Sequence, residues 1–297
     1  ENGNEVPFTP SNTTGAIANT KITGSVSWTK VEEGDTGHAP LAGSEWKLTK
    51  TKDADGTDVN QSWTVSDQVS DQSTSSDTTW VDTDTAPGKF TLEGLLPGTY
   101  TLTETQAPFG YEKNPTGYKF TVSSTDGSIA WKGDEQPSII DSTAYISNKR
   151  SVTSVTIPVT KSVRNADWPK DADGSYVLFD FEITAATSDP AAPMPGVTTI
   201  SVAPTDASKV NDIVANFGEI AFNKGHLAKI DDSNTTGAKT YTYTVKEVAP
   251  TTGAIDKLRY SKAEYQVAVT VKAVMDETTG KYSGLTTSTT VTQVKDD

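Results

Sequence analysis

Leu95-Leu-Pro-Gly-Thr-Tyr-Thr-Leu-Thr-Glu-Thr-Gln-Ala-Pro-Phe-Gly-Tyr111 is the stretch on which the reading of this 297-residue chain turns. Side chains two apart on a strand share a face. Tyr100, Leu102 and Glu104 therefore lie on one face, with threonines on the other, so a carboxylate ends an apolar row. The same parity recurs upstream, where Val26, Trp28 and Lys30 share a face, and downstream, where Ala144, Ile146 and Asn148 do. A lysine, a glutamate and an asparagine thus each continue a row that points inward.

Burying a lone lysine or carboxylate is expensive, so each needs a partner. The three groups can satisfy one another, and they can also react. Desolvation favours a neutral amine beside a protonated acid. Such an amine can attack the asparagine side-chain carbonyl while the acid polarises that carbonyl and shuttles protons. Ammonia leaves, and an amide joins two strands in a single turnover. Well-oriented groups gain about 7–11 kcal/mol from proximity alone.

The rest of the chain has the same period of two. Runs rich in Thr, Val, Tyr and Ile are broken by Gly, Asp, Asn and Pro, which predicts an all-β protein of sandwich or barrel type. In a first block, strands are predicted around Val26–Val31, Trp46–Leu48, Phe90–Leu92, Tyr100–Glu104, Tyr118–Val122 and Ala144–Asn148. In a second, they are predicted around Val155–Lys161, Val177–Ile183, Phe217–Phe222, Tyr241–Glu247, Tyr265–Val271 and Leu285–Val294. Ala207–Asn216 is the one candidate for a short helix. The length suits two domains, at 21–150 and 151–297, joined by the short Asn148-Lys149-Arg150-Ser151. Residues 1–20 read as a leader or the remnant strand of a preceding domain. Gln61–Thr85, rich in Ser, Thr and Asp, reads as a decorated hairpin or long surface loop.

Composition removes several classes of function. There is no cysteine, so disulfides, thiolate nucleophiles and cysteine–zinc sites are excluded. A formal charge of −14 argues against nucleic acid and anionic membranes as partners. No apolar run reaches the roughly 18 residues of a membrane span. His38 and His226 have no spaced partners, so neither a metal site nor a Ser-His-Asp triad is expected. Asp53-Ala-Asp-Gly-Thr-Asp-Val-Asn60 invites a calcium reading, but its Gly comes fourth where the EF-hand pattern needs it sixth. Asp-Gly there, and at Asp173-Gly174, is first a turn former. No cofactor is implied, and an enzyme is not expected.

Gly24-Ser-Val-Ser-Trp-Thr-Lys30 and Leu41-Ala-Gly-Ser-Glu-Trp46 resemble the opening of a CnaB-type (SpaA-like) pilin domain. The stretch Leu95–Tyr111 resembles that family's E-box, and Ile146-Ser-Asn-Lys149 its closing strand. The resemblance implies an immunoglobulin-like β-sandwich with a Lys30–Asn148 isopeptide bond and Glu104 as the assisting acid.

In the second block, Val155, Ile157, Val159 and Lys161 share a face, as do Tyr241, Tyr243, Val245 and Glu247. With Phe179–Ile183 and Phe217–Phe222 they resemble a pilin isopeptide-linkage domain of the FctA type. That resemblance implies a Lys161 cross-link assisted by Glu247, with its asparagine on a final strand. No Asn follows Asn234, so the cross-link is expected to be unclosed. Three sources of the missing group are open: a last strand lying beyond Asp297, which is favoured, a strand from a neighbouring chain, or an internal Asn216 or Asn223. Ala16-Ile-Ala-Asn-Thr20 is similar to such a closing strand.

The resemblance as a whole implies a stalk or shaft segment of a Gram-positive pilus or cell-wall-anchored adhesin, extracellular, with adjacent domains or pilin subunits as partners. The alternative is an adhesin module that binds host glycan or protein through the 61–85 insertion, with Trp63 and Trp80 as contacts.

Overall fold

The computed structural model describes residues 21–67, 78–228, 237–251, 255 and 257–296. Residues 1–20, with the closing-strand candidate Ala16–Thr20, lie outside the described residues, as do 68–77 of the insertion. The described chain is built of strands, with a single 3-10 turn at Lys224–His226. It forms two compact units. One comprises the chain up to Val31, Pro40–Thr105 and Pro115–Ile146; the other comprises Glu32–Ala39, Gln106–Asn114 and the chain from Ser147 onward.

The first sandwich has one sheet in the order β4-β1-β9-β8, from β1 (Gly24–Glu32), β4 (Lys89–Leu95), β8 (Ser138–Ile140) and β9 (Thr143–Asn148). Its second sheet runs β3-β2-β5-β6-β7, from β2 (Glu45–Asp53), β3 (Asp58–Ser66), β5 (Gly98–Gln106), β6 (Gly117–Val122) and β7 (Ile129–Lys132). Alternation decides which side chains meet between the sheets. In β5 the buried positions are Gly98, Tyr100, Leu102 and Glu104, with half-buried threonines between. Trp28 stacks on Phe90 at 4.7 Å, Trp46 meets Trp28 edge-on at 5.5 Å, and Tyr100 stacks on Phe120 at 5.3 Å. Few but large aromatics fill this core. Gly98 enters β5 at φ 148°, where a Cβ would lie 2.4 Å from the Lys52 carbonyl oxygen, so only glycine fits.

The second sandwich pairs β10 (Thr153–Lys161) with β13 (Ile213–Phe222) in a sheet of two strands. Facing them is the sheet β12-β11-β14-β15-β16, from β11 (Phe179–Ala185), β12 (Thr199–Val202), β14 (Lys239–Val248), β15 (Glu264–Met275) and β16 (Tyr282–Lys295). Phe179, Phe217, Phe222, Tyr243, Val269 and Val271 lie at its centre, each at most 2% exposed. The β10–β13 register shifts between Thr156 and Pro158, at the residue that cannot donate to a ladder.

Each predicted strand has a counterpart, with longer bounds in most. Ala207–Asn216 is not a helix. Asp206 accepts the Ser208 amide, Asp212 adopts φ 55°, and the segment ends inside β13. The insertion opens as a strand, because β3 pairs antiparallel with β2 from Asp58 to Ser66.

Candidate functional site

Lys30, Glu104 and Asn148 are 0%, 2% and 2% exposed, as their strand parity requires. Lys30 lies near the end of β1 and Asn148 ends β9, the neighbouring strand in the same sheet. Glu104 comes from β5 in the facing sheet, and its Oε1 lies 3.2 Å from the Lys30 Nζ. Both side chains of that pair are wholly inaccessible.

The backbone around the lysine is fixed from two sides. Its N–H donates to the Gly88 carbonyl at 2.8 Å, and its own carbonyl accepts from the Leu41 N–H at 2.8 Å. Gly88 adopts φ 77°, and a Cβ there would press on the Leu41 backbone at 2.7 Å. The half-buried Asp67 carboxylate closes this loop, accepting from the amides of Gly43 and Gly88. The Lys30 ammonium also sits 5.2 Å from the Trp46 ring centroid. Sequence parity located Lys30 but not Asp67, Gly88 or Leu41, which meet it only through the fold.

Burial is the largest influence on the amine. It pulls the Lys30 pKa down from 10.5 to about 8, although the Glu104 charge and hydrogen bond act to raise it. A fraction of the neutral, nucleophilic form therefore exists near neutral pH. The Asn148 amide is held by its nitrogen, which donates to the Glu112 carbonyl at 2.7 Å. The chain beyond it is anchored as well. Arg150 grips the Glu32 carboxylate with two bonds of 2.9 and 2.6 Å, and the Tyr111 hydroxyl donates to the same carboxylate at 2.8 Å.

In the second sandwich, Lys161 ends β10 and Glu247 comes from β14 in the facing sheet. Lys161 donates to Glu247 Oε2 at 2.8 Å and lies over the Phe179 ring at 4.2 Å from its centroid. The Ser261 amide approaches the same carboxylate oxygen at 3.4 Å. The structure thus brings this pair together too, but the internal asparagines stand away from it. Lys161 faces Ile213 across the ladder, Asn216 faces Pro158, and Asn223 follows the Phe222–Thr153 pair at the far end of β10. At about 3.3 Å per residue, these positions are roughly 10 and 30 Å along the strand from Lys161. Asn216 accepts from the Gly218 amide, and Asn223 caps the 3-10 turn with His226.

Other candidates settle into structural work. The Asp53–Asp58 loop is closed on itself: Asp53 accepts from Lys50, Asp55 from the Thr57 amide and Asp58 from Lys52. Trp63 and Trp80 pack edge-to-face at 5.1 Å against the first core, and the Trp80 indole donates to the Glu93 carbonyl.

Residues 24–136 match the family model described as the SpaA prealbumin-like fold domain, and residues 157–297 match the FctA, Spy0128-like isopeptide containing domain. The chain thus carries a SpaA prealbumin-like domain followed by an FctA isopeptide containing domain, two pilin-type domains in tandem. No curated protein matches it. Solved structures similar to it include the Bacillus anthracis TIE protein, at 16% identity over 80% of this chain and 30% of that one, with a TM-score of 0.32. The C-terminal fragment of the pilus adhesin SpaC from Lactobacillus rhamnosus GG is 16% identical over 91% of this chain and 88% of the fragment, with a TM-score of 0.30. The group B streptococcus pilus 2b backbone protein is 22% identical over 43% and 41%, with a TM-score of 0.26. This pilin-type chain therefore spans less than a third of the anthrax protein's length.

Proposed function

We propose that this chain is a load-bearing segment of a Gram-positive pilus or cell-wall-anchored surface protein, stapled by an isopeptide bond between Lys30 and Asn148. Adjacent domains or pilin subunits of the same assembly are its partners. The observation that carries this reading is the wholly buried Lys30–Glu104 pair, its lysine on the strand beside one that ends in a buried asparagine and its glutamate on the facing sheet.

The chemistry follows from those groups. The neutral Lys30 amine adds to Cγ of Asn148, and protonated Glu104 donates to the carboxamide as charge develops on it. The carboxylate then takes the proton that the new C–N bond releases. The Cγ–Nδ2 bond breaks and ammonia leaves, so Glu104 ends as it began. Amine plus carboxamide gives amide plus ammonia, with no oxidant and no cofactor. Water is excluded around both side chains, so the charges involved are not screened there.

The bond would tie β1 to β9, the strands at either end of the domain's sequence. Tension on the chain would pass through a covalent bridge instead of the hydrogen-bonded core. A ring closed across more than a hundred residues also limits the unfolded ensemble.

Intact mass of the purified chain tests this directly. Loss of one ammonia, about 17 Da, mapped by proteolysis to a Lys30–Asn148 linked peptide is the expected result. Glu104→Ala is expected to restore the full unmodified mass. A full mass in the unsubstituted chain would leave Lys30 and Glu104 an ordinary buried ion pair.

A further inference from the structure

Of the 15 prolines in the chain, only Pro190 follows an aspartate, Asp189. An Asp–Pro peptide bond is labile for two chemical reasons. The aspartate carboxylate can close a five-membered ring on its own backbone carbonyl carbon, acting as an intramolecular nucleophile. Proline's nitrogen, once protonated, leaves as a secondary amine more readily than an ordinary backbone nitrogen leaves.

The fold adds three features to this bond, which lies between β11 and β12 of the second sandwich. First, the Asp189 carbonyl oxygen accepts the Ala192 N–H at 3.1 Å, in a turn with Pro190 at its second position. A donor thus already sits on the oxygen that would gain charge if its carbon were attacked. Second, an amine stands beside the attacking group: Lys239, which opens β14, places its Nζ 3.2 Å from Asp189 Oδ2. Third, the loop is tied down on both sides of the bond. The Asp189 N–H donates to the Ala186 carbonyl at 3.0 Å, Ala192 is buried, and the Tyr243 hydroxyl donates to the Pro193 carbonyl at 2.8 Å. A partly exposed ion pair alone contributes little to stability. This one joins a nucleophile, a labile bond and a second nucleophile in a fixed turn.

We propose that Asp189-Pro190 is a self-processing site, at which the peptide bond is exchanged for a side-chain amide between Asp189 and Lys239. The Asp189 carboxylate adds to its own carbonyl carbon, and the developing oxyanion is held by the Ala192 N–H. The bond from that carbon to the Pro190 nitrogen breaks, and the nitrogen takes a proton from the Lys239 ammonium. A cyclic anhydride and a neutral lysine amine result. The amine adds to Cγ, the Cγ–O bond of the anhydride breaks, the α-carboxylate is released, and the surplus proton passes to the Pro190 amine. One amide is lost and one is gained, with no water, ammonia or oxidant in the balance. The step is independent of any bond at Lys30. Tension on the processed chain would pass from Asp189 straight to β14, leaving β12 and β13 outside its path.

The test follows the full chain, as purified and after incubation in mildly acidic and neutral buffer, both folded and in denaturant. Labelling of new amino termini is expected to find Pro190, and proteolysis to yield a peptide pair joined through Asp189 and Lys239, with no change in intact mass from this step. Lys239→Arg keeps the positive charge and removes the nucleophile. Water then opens the anhydride, and two separable fragments are expected, ending at Asp189 and beginning at Pro190, with a summed gain of about 18 Da. Asp189→Asn and Pro190→Ala are each expected to lower the yield of new termini at least tenfold. All three positions are at least partly exposed, and a thermal melt of each variant confirms that it is folded. Absence of a Pro190 terminus in the folded chain overturns the site. Equal cleavage in denaturant overturns it too, because the turn and the lysine would then contribute nothing. Fragments from the parent chain with no joined peptide overturn the exchange with Lys239.

Discussion

The two sandwiches carry the same pair of residues in different degrees of enclosure. Lys30 and Glu104 are sealed, with no accessible side-chain surface, while the Lys161 side chain keeps 12% of its surface exposed. The pairs themselves are alike: a lysine near the end of one strand, a glutamate from the facing sheet, an aromatic ring beside the amine. The neighbouring strand differs. Beside β1 lies β9, and beside β10 the described chain places nothing further. Enclosure of a reactive amine is thus a property of the strand next to it as much as of its own row.

The largest effect expected from breaking this comparison is loss of the proposed Lys30–Asn148 bond. Asn148→Ala removes the acceptor while leaving β9 a short alternating strand. A cross-link closing a ring of this length is worth about 5 kcal/mol through the unfolded state. Chemical unfolding of the first domain is expected to shift by that order, and its protease resistance to fall with it. Lys161→Ala, with no bond to lose in the chain as described, is expected to shift the second domain far less. Equal shifts in the two domains would mean that the first is unstapled.

A smaller effect sharpens the comparison through pH. In Asn148→Ala the Lys30 amine stays free, with its pKa held near 8 by burial against 10.5 in the unfolded chain. Between those values the unfolded chain holds a proton that the folded chain does not. Unfolding free energy therefore rises with pH across that window, by on the order of 3 kcal/mol, and the cost of burying the charge is fully present below it. Adding Lys30→Met to that background is expected to remove the slope. Denaturant titrations from pH 7.5 to 10.5 on the two variants measure the difference. Parallel curves would show that Lys30 is not the group responsible.

Much of this was legible from parity. Rows such as Val26-Trp28-Lys30 and Tyr241-Tyr243-Val245-Glu247 announce both the strand and the inward face, because one side of each strand must be apolar. Strands β3, β7, β8 and β12 were not legible as strands. They lie at sheet edges and are mostly short, so pairing holds them more than a buried row does. Ala207–Asn216 has residues that tolerate a helix, but Asp206 accepts the Ser208 amide and the Asp212 amide donates to the Ser162 hydroxyl, which gives its backbone other partners. The order of strands within a sheet was not legible at all. No local pattern in β10 says that it stands at an edge.

The smallest expected effect asks whether the second pair contributes to stability as it stands. Glu247→Leu alone leaves a largely buried lysine without its carboxylate and is expected to cost about 3 kcal/mol. Lys161→Met with Glu247→Leu removes both charges and keeps the volume, and the desolvation cost of the pair disappears with its attraction. The double variant is expected to lie within about 1 kcal/mol of the parent, or above it. A double variant as unstable as the single would mean that the ion pair itself holds β10 to the facing sheet. Stability close to the parent would mean instead that the attraction between Lys161 and Glu247 does no more than offset the cost of burying them.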